Sequence, residues 1–251
     1  MSIGWTLPNW CAPACVRALS TFRTGGVSSG GYASLNLGIH VGDEAGAVQE
    51  NRRRLREAAA LPAEPVWLQQ VHGAEVEDLD RIPSPVGAGG PGRDAAITRS
   101  LGKVCAILTA DCLPVLLAAD DGSVIGAAHA GWRGLGAGVL ASTVRALEVR
   151  PERLMAWIGP GISALHYEVG VEVRAAMIEL DPAAAAAFRP NARGNFMADL
   201  ALIARQQLQA LGVGRIEVAG ECTFGAQARY FSHRRDGQTG RQATLIWRQE
   251  P

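Results

Sequence analysis

Between Val104 and Gly134 the chain reads VCAILTADCLPVLLAADDGSVIGAAHAGWRG, and this stretch constrains the fold most. It holds two apolar runs, Val104–Leu108 and Val124–Ala128, each of strand length and rich in β-branched or aliphatic residues. Each ends in a residue able to bind a metal or act as a nucleophile: Asp111-Cys112 after the first, His129 after the second. A third run, Val66–Val71, ends in the same way at His72. Strands ending in His, Cys and His at long, irregular spacing imply a site assembled by the fold rather than by a local motif.

The rest of the chain reads as the scaffold for that site. Cys15–Phe22 is a strand, Glu44–Leu61 a helix with Val48, Leu55 and Ala59 as its apolar stripe, and Asp43 its expected N-cap. The Arg52–Arg54 run is expected on its solvated face. Ala74–Leu79 is a short strand and Pro83–Gly92 a Pro/Gly loop. Pro114–Ala119 and Val124–Ala128 flank Asp120-Asp121-Gly122, a hairpin signal. Helices are expected at Trp132–Glu148, Val169–Leu180 and Leu200–Leu211, strands at Leu154–Ile158, Arg215–Ala219 and Ala243–Trp247, and a turn-rich hairpin at Tyr230–Gly240. With no repeat and no linker, residues 1–251 read as one mixed α/β domain.

Two features outside the strands suggest ligand contacts. Thr21–Asp43 is a long glycine-rich loop, uncommon unless it has a function. Its Arg23, Ser28, Ser29 and Asn36 are candidate donors to a phosphate, ribose or base, and His40 is expected to face solvent. The helix beginning GWRG, just after His129, offers free N–H groups and Arg133 to an anion.

Composition narrows the class. Twenty-four basic residues balance 24 acidic ones, which argues against a nucleic-acid binder driven by counterion release. No apolar run approaches the ~20 residues of a membrane span. The opening MSIGWTLPNW lacks the basic and apolar regions of a signal peptide. Five cysteines, an odd count in a chain too large to need staples, point to free thiols in a reducing, cytoplasmic compartment. Cys11, Cys15, Cys105 and Cys222 read as structural thiols.

The His72, Cys112 and His129 set admits two chemistries. Thiolate and imidazole are zinc ligands, and three of them leave a fourth position for water or substrate. Cys112 paired with either histidine would instead be a nucleophile. Residue types alone leave both open. Asp111 is a candidate for orienting a ligand or for moving protons. A multicopper oxidase would need about four His-x-His pairs, whereas this chain has 5 histidines and no such pair. His166-Tyr167-Glu168 begins a nucleic-acid deaminase signature, but no Pro-Cys-x-x-Cys follows. Phosphate-loop and dinucleotide glycine motifs are absent.

In order, the blocks STFRTGGVSSGGYASLNLGIHVGD, NRRRL, WLQQVHG, DAAIT, LTADCLPVLL, AAHAGWRGL, GPGIS with HYEVG, and CTF with YFSHRRDGQTGRQATLIW span nearly the whole chain. Together they resemble the YfiH-like proteins, also called the laccase-domain or purine nucleoside phosphorylase proteins. The resemblance implies an α/β fold with β-sheet sandwiched between helical layers, similar to the catalytic domain of the cytotoxic necrotizing factors. It implies zinc on the His of QVHG, the Cys of ADC and the His of HAGWRG, here His72, Cys112 and His129. The implied activities are phosphorolysis of adenosine, inosine, guanosine and methylthioadenosine, and deamination of adenosine. An older family label is copper-dependent polyphenol oxidase, which the histidine count disfavours. A further family assignment is editing of a peptidoglycan precursor. The expectation is a zinc enzyme acting on nucleoside and phosphate, with neither nucleic acid nor membrane as partner. Its rivals are a metal-free Cys–His hydrolase and a scaffold that keeps only the fold. Oligomeric state is not legible.

Overall fold

The computed structural model describes residues 2–81 and 92–250; the Pro/Gly loop expected over Pro83–Gly92 lies, apart from Gly92, outside the described residues. The chain begins with β1 (Trp5–Thr6), β2 (Val16–Thr21), α1 (Ala45–Ala58), β3 (Val66–Trp67), β4 (Val76–Asp78) and β5 (Ala95–Thr98). There follow β6 (Val104–Thr109), β7 (Leu113–Ala119), β8 (Ile125–Ala130), α2 (Trp132–Ala137), α3 (Val139–Ala146) and β9 (Leu154–Ile158). The remainder comprises β10 (Glu168–Val169), α4 (Val171–Leu180), β11 (Phe188–Pro190), β12 (Phe196–Ala198), α5 (Leu200–Ala210), β13 (Arg215–Val218), α6 (His233–Asp236) and β14 (Gln242–Arg248).

These strands form a five-stranded sheet ordered β1-β2-β14-β6-β3, a six-stranded sheet ordered β13-β9-β7-β8-β5-β4 and a three-stranded sheet ordered β10-β12-β11. Strand side chains alternate between faces, and the core divides accordingly. Cys105 and Ile107 of β6 meet Leu116 and Ala118 of β7 between the sheets, with Trp157 and Ile246. Val104, Ala106 and Leu108 face the other way, onto Leu35, Leu37 and Leu55 of the long loop and α1. Val115 and Leu117 pack on Leu135, Val139, Leu140, Met177, Ile203 and Leu208 of α2 to α5. The result is a compact α/β layering: helix and loop, sheet, sheet, helices. Strands covered on both faces must be apolar throughout, which is why β6, β7 and β8 read as continuous apolar runs.

The β7–β8 hairpin forms as its turn signal predicts. Other boundaries differ from expectation for local reasons. The third apolar run keeps only Val66–Trp67 as strand. The Trp132–Glu148 helix breaks at Gly138, whose φ of 83° is left-handed. Val169 is drawn into β10, opposite Phe196, so α4 starts at Val171. Instead of a hairpin, Tyr230–Gly240 contains α6, capped by Ser232. Asp43 does not cap α1 as N-cap residue; Glu44 takes that position, and Asp43 Oδ2 is bound by Ser28 and Asn36.

Candidate metal and catalytic site

Two crossings between the sheets deliver two of the site residues. The chain leaves the five-stranded sheet at β6, turns through Ala110-Asp111-Cys112, and enters the six-stranded sheet at β7. It leaves the same sheet at β3 and passes His72 on the way to β4. His129 comes from β8, opposite Pro114 of β7. Ligand atoms of His72, Cys112 and His129 lie within 4.8 Å of one another. His72 is exposed, Cys112 half-buried and His129 buried, so the cluster opens to solvent on the His72 side.

A residue that sequence reasoning missed ties them together. Ala95 pairs with Ala128, which sets the fully buried Asp94 beside His129. Asp94 Oδ1 accepts from His129 Nδ1 at 2.9 Å and from the His72 N–H at 2.9 Å. Its Oδ2 accepts from the Val71 and Gly73 N–H groups at 3.1 and 2.7 Å. The turn carries His72 at φ 61°, a left-handed conformation costing a non-glycine residue of order 1–2 kcal/mol. Hydrogen bonds to a charged acceptor, each contributing about 1.5–3 kcal/mol, hold it there. With Nδ1 engaged by Asp94, His129 is left with Nε2 as its free ring nitrogen.

Charge follows from this geometry. Burial raises the Cys112 thiol, but the His129 charge and hydrogen bonds from His129 and His72 outweigh it and lower the thiol to about 6. Burial lowers His129, and the Cys112 thiolate and Asp94 outweigh that, raising the imidazole to about 9. The metal-free pair is therefore thiolate and imidazolium at neutral pH. Two imidazoles and a thiolate with an open side are a donor set that suits a metal with a vacant coordination position. Gly131 makes room: a Cβ there would sit 2.7 Å from Cys112 Sγ.

Asp111, at φ 100°, anchors the turn before Cys112. Its Oδ1 accepts from Thr223 Oγ1 and its Oδ2 from the Arg234 N–H, both at 2.7 Å. Of the loop residues expected to touch substrate, Ser29 is exposed, whereas Arg23, Ser28 and Asn36 bond within the protein. Ser28 Oγ donates to Asp43 at 2.6 Å, and the fully buried Asn36 binds Gly38, Asp43 and the Arg241 N–H. Arg23 donates to the Ala33 carbonyl and stacks on Phe231. These residues hold the loop's shape because Asn51 of α1, also fully buried, binds Val27, Ser28, Ser34 and Asn36. Arg52 likewise leaves the solvated face predicted for it, donating to the Leu37 carbonyl and stacking on Trp67.

Other titratable groups lie close enough to feel the cluster's charges. Arg133 is exposed, with its guanidinium 4.4 Å from the Trp132 ring centre. Tyr167 is raised to about 12 by burial and by the Cys112 charge, against Arg234 and Arg133. Arg241 is lowered by burial despite the Cys112 and Asp111 charges. His40 is exposed as expected, yet it is lowered by desolvation and by the charges of Arg241, Arg52, His129 and His72. Tyr167, Arg234 and Arg241 lie in the HYEVG and YFSHRRDGQTGR blocks, the only sequence signal that marks them.

Residues 17–249 match the family described as multi-copper polyphenol oxidoreductase laccase. The chain belongs to this laccase-like, YfiH family. A Pseudomonas aeruginosa protein named purine nucleoside phosphorylase PA4543 is 48% identical over 247 residues, covering 98% of this chain and 99% of its own length. The Escherichia coli family member named purine nucleoside phosphorylase YfiH is 46% identical over 241 residues, covering 96% of this chain and 97% of its own. The crystal structure of Neisseria meningitidis protein NMB0706 superposes with a TM-score of 0.93 at 43% identity, covering 98% of this chain and 99% of that one. YlmD from Geobacillus stearothermophilus gives 0.90 at 35%, covering 98% and 97%. The family description names copper, but with 5 histidines and no His-x-His this member lacks the residues for a multicopper set. Among the described residues no helix is long and apolar enough to cross a membrane.

Proposed function

We propose that this protein is a zinc-dependent purine nucleoside phosphorylase that also deaminates adenosine, with residues 1–251 as one catalytic domain. One observation carries the reading: His72, Cys112 and His129 converge within 4.8 Å, in a chain 46–48% identical along nearly its whole length to proteins named purine nucleoside phosphorylase. Adenosine, inosine, guanosine and methylthioadenosine are the proposed substrates, with phosphate as co-substrate. When bound, zinc supplies a Lewis acid and lowers the pKa of a bound water to roughly 7. Zinc is preferred to copper because a thiolate and two imidazoles are zinc donors, and 5 histidines with no His-x-His pair fall short of a multicopper set.

The protein's own residues do the remaining work. Asp94 orients His129 and the His72 turn, and Asp111 fixes the turn that carries Cys112. Arg133, exposed and stacked on the Trp132 ring, is the proposed phosphate contact. In phosphorolysis a phosphate oxygen forms a bond to ribose C1′ as the bond from C1′ to the purine nitrogen breaks. The base leaves with a proton and ribose 1-phosphate remains. Balanced charge supports small molecules over nucleic acid as partners, and the five free thiols support a cytoplasmic setting.

A second reading is favoured by the pair of Cys112, lowered to about 6, and His129, raised to about 9 with Asp94 behind it. Without metal this is a thiolate nucleophile, an imidazolium able to protonate a leaving group and an orienting carboxylate, as a Cys–His hydrolase acting on a peptidoglycan precursor needs. Product analysis separates the two. Purified protein is incubated with adenosine or inosine, with and without phosphate, beside Cys112→Ala. Free base and ribose 1-phosphate that require phosphate and vanish in the variant support the phosphorylase. Inosine formed from adenosine without phosphate supports the deaminase. No product from either nucleoside overturns the purine reading and leaves the hydrolase.

A further inference from the structure

A second cysteine has a histidine partner away from the metal cluster. Cys222, half-buried, has its sulfur 3.5 Å from His166 Nδ1 and accepts the Ser163 N–H at 3.4 Å. Ser163 Oγ lies 3.4 Å from the same ring nitrogen, so hydroxyl, imidazole and thiol form a closed set. The His166 ring is fixed by a face-to-face stack on Phe224, centroids 4.4 Å apart and planes 16° apart. Burial raises the Cys222 thiol, and the Ser163 hydroxyl with the Gly225, Ser163 and Phe224 N–H groups outweighs it, so the net shift is downward. Ser163 and Glu221 also line a cavity of about 400 Å³, bounded by Leu113, Ile162, Leu202 and Val218, which admits a small molecule beside the cluster.

We propose that Cys222, with His166 and Ser163, is a modification site that reacts with small hydroperoxides to give a sulfenic acid. The Cys222 sulfur attacks one peroxide oxygen, forming the S–O bond as the O–O bond breaks. Sulfur loses two electrons and the peroxide gains them. The thiol proton, taken up by His166, passes to the departing oxygen, which leaves as water from hydrogen peroxide or as an alcohol from an organic hydroperoxide. The Ser163 N–H and the imidazole stabilise the thiolate that attacks, and stacking on Phe224 keeps the nitrogen in place. The exposed Cys11 lacks a neighbouring imidazole and serves as internal reference.

The test is peptide mass mapping of the full chain treated with hydrogen peroxide in the presence of dimedone, which traps sulfenic acids. Every cysteine is quantified separately, so reaction at Cys112 does not obscure the result. Cys222, with its imidazole and N–H contacts, is expected to gain the adduct at least about tenfold faster than Cys11. His166→Phe keeps an aromatic ring against Phe224 but removes the nitrogen, and should bring Cys222 down towards the Cys11 rate. Ser163→Ala, a smaller change, should lower it in the same direction. Labelling of Cys222 no faster than Cys11 overturns the proposal, as does an unchanged rate in both variants.

Discussion

Asp94 Oδ1 accepts a hydrogen bond from His129 Nδ1 at 2.9 Å, and the same carboxylate collects the N–H groups of Val71, His72 and Gly73. One buried side chain thus sets the orientation of one imidazole and the backbone of another. Both the left-handed turn at His72 and the ring nitrogen that His129 presents depend on it.

Asp94→Asn tests that dependence with almost no change of volume. The amide can accept through one oxygen only, so at least one N–H of the turn loses its partner, and the His129 ring loses its charged acceptor. We expect metal affinity to fall about 10- to 100-fold, as for loss of a partner behind a ligating histidine. Stability should fall by about 1–3 kcal/mol. A competition titration against a chromogenic zinc chelator and a thermal melt measure the two effects.

The Cys112–His129 pair predicts a pH window for the metal-free protein. The folded Cys112 lies below its ordinary value, at about 6, so its stabilisation is full above the ordinary thiol pKa and is lost as pH falls through about 6. The folded His129 lies above its ordinary value, at about 9, so its stabilisation is full below about 6.5 and is lost as pH rises through about 9. The pair therefore stabilises most between about 6 and about 9. Urea midpoints of chelator-treated protein across pH should crest in that window. In His129→Asn the crest should flatten, and Cys112 alkylation should need a higher pH.

The three donors were legible because each follows an apolar run in a chain with few histidines, and the layers because those runs lack polar interruptions. Asp94 was not, since its importance arises from the Ala95–Ala128 register, which joins residues far apart in sequence. The loop's internal bonding was hidden for a related reason. Ser28 and Asn36 look like donors to a ligand when their partner, Asn51, is hidden in a helix whose stripe was read as Val48, Leu55 and Ala59. A buried Asn between Val48 and Leu55 occupies an apolar position, and only the loop packed against it explains it.

Asn51→Leu should expose that arrangement. Asn51 supplies bonds to Val27, Ser28, Ser34 and Asn36, and leucine supplies none. Leaving these buried groups without partners is expected to cost about 2–4 kcal/mol in total. The loss should appear as a lower denaturant midpoint and as new proteolytic cleavage between Thr21 and Asp43. An unchanged cleavage pattern would mean that the loop keeps its shape without Asn51.

Gly131→Ala separates the fit of the thiolate from the stability of the fold. Gly131 has φ −77° and ψ 169°, which any residue adopts, so the backbone imposes no penalty. At such a position Gly→Ala usually stabilises a protein by about 0.4–1 kcal/mol through the unfolded chain. Here the new methyl would stand 2.7 Å from Cys112 Sγ and 3.6 Å from His72 Cδ2. Contact at that distance must displace the sulfur, because the other side of Cys112 is held by Asp111 and its bonds to Thr223 and Arg234. The variant should lose no more than about 1–3 kcal/mol, the cost of overpacking a buried site, yet bind zinc more weakly and turn over nucleosides more slowly. A large loss of stability would show that the sulfur cannot move aside. Full metal affinity would show that the donor cluster tolerates a displaced Cys112, against the tight geometry argued for it.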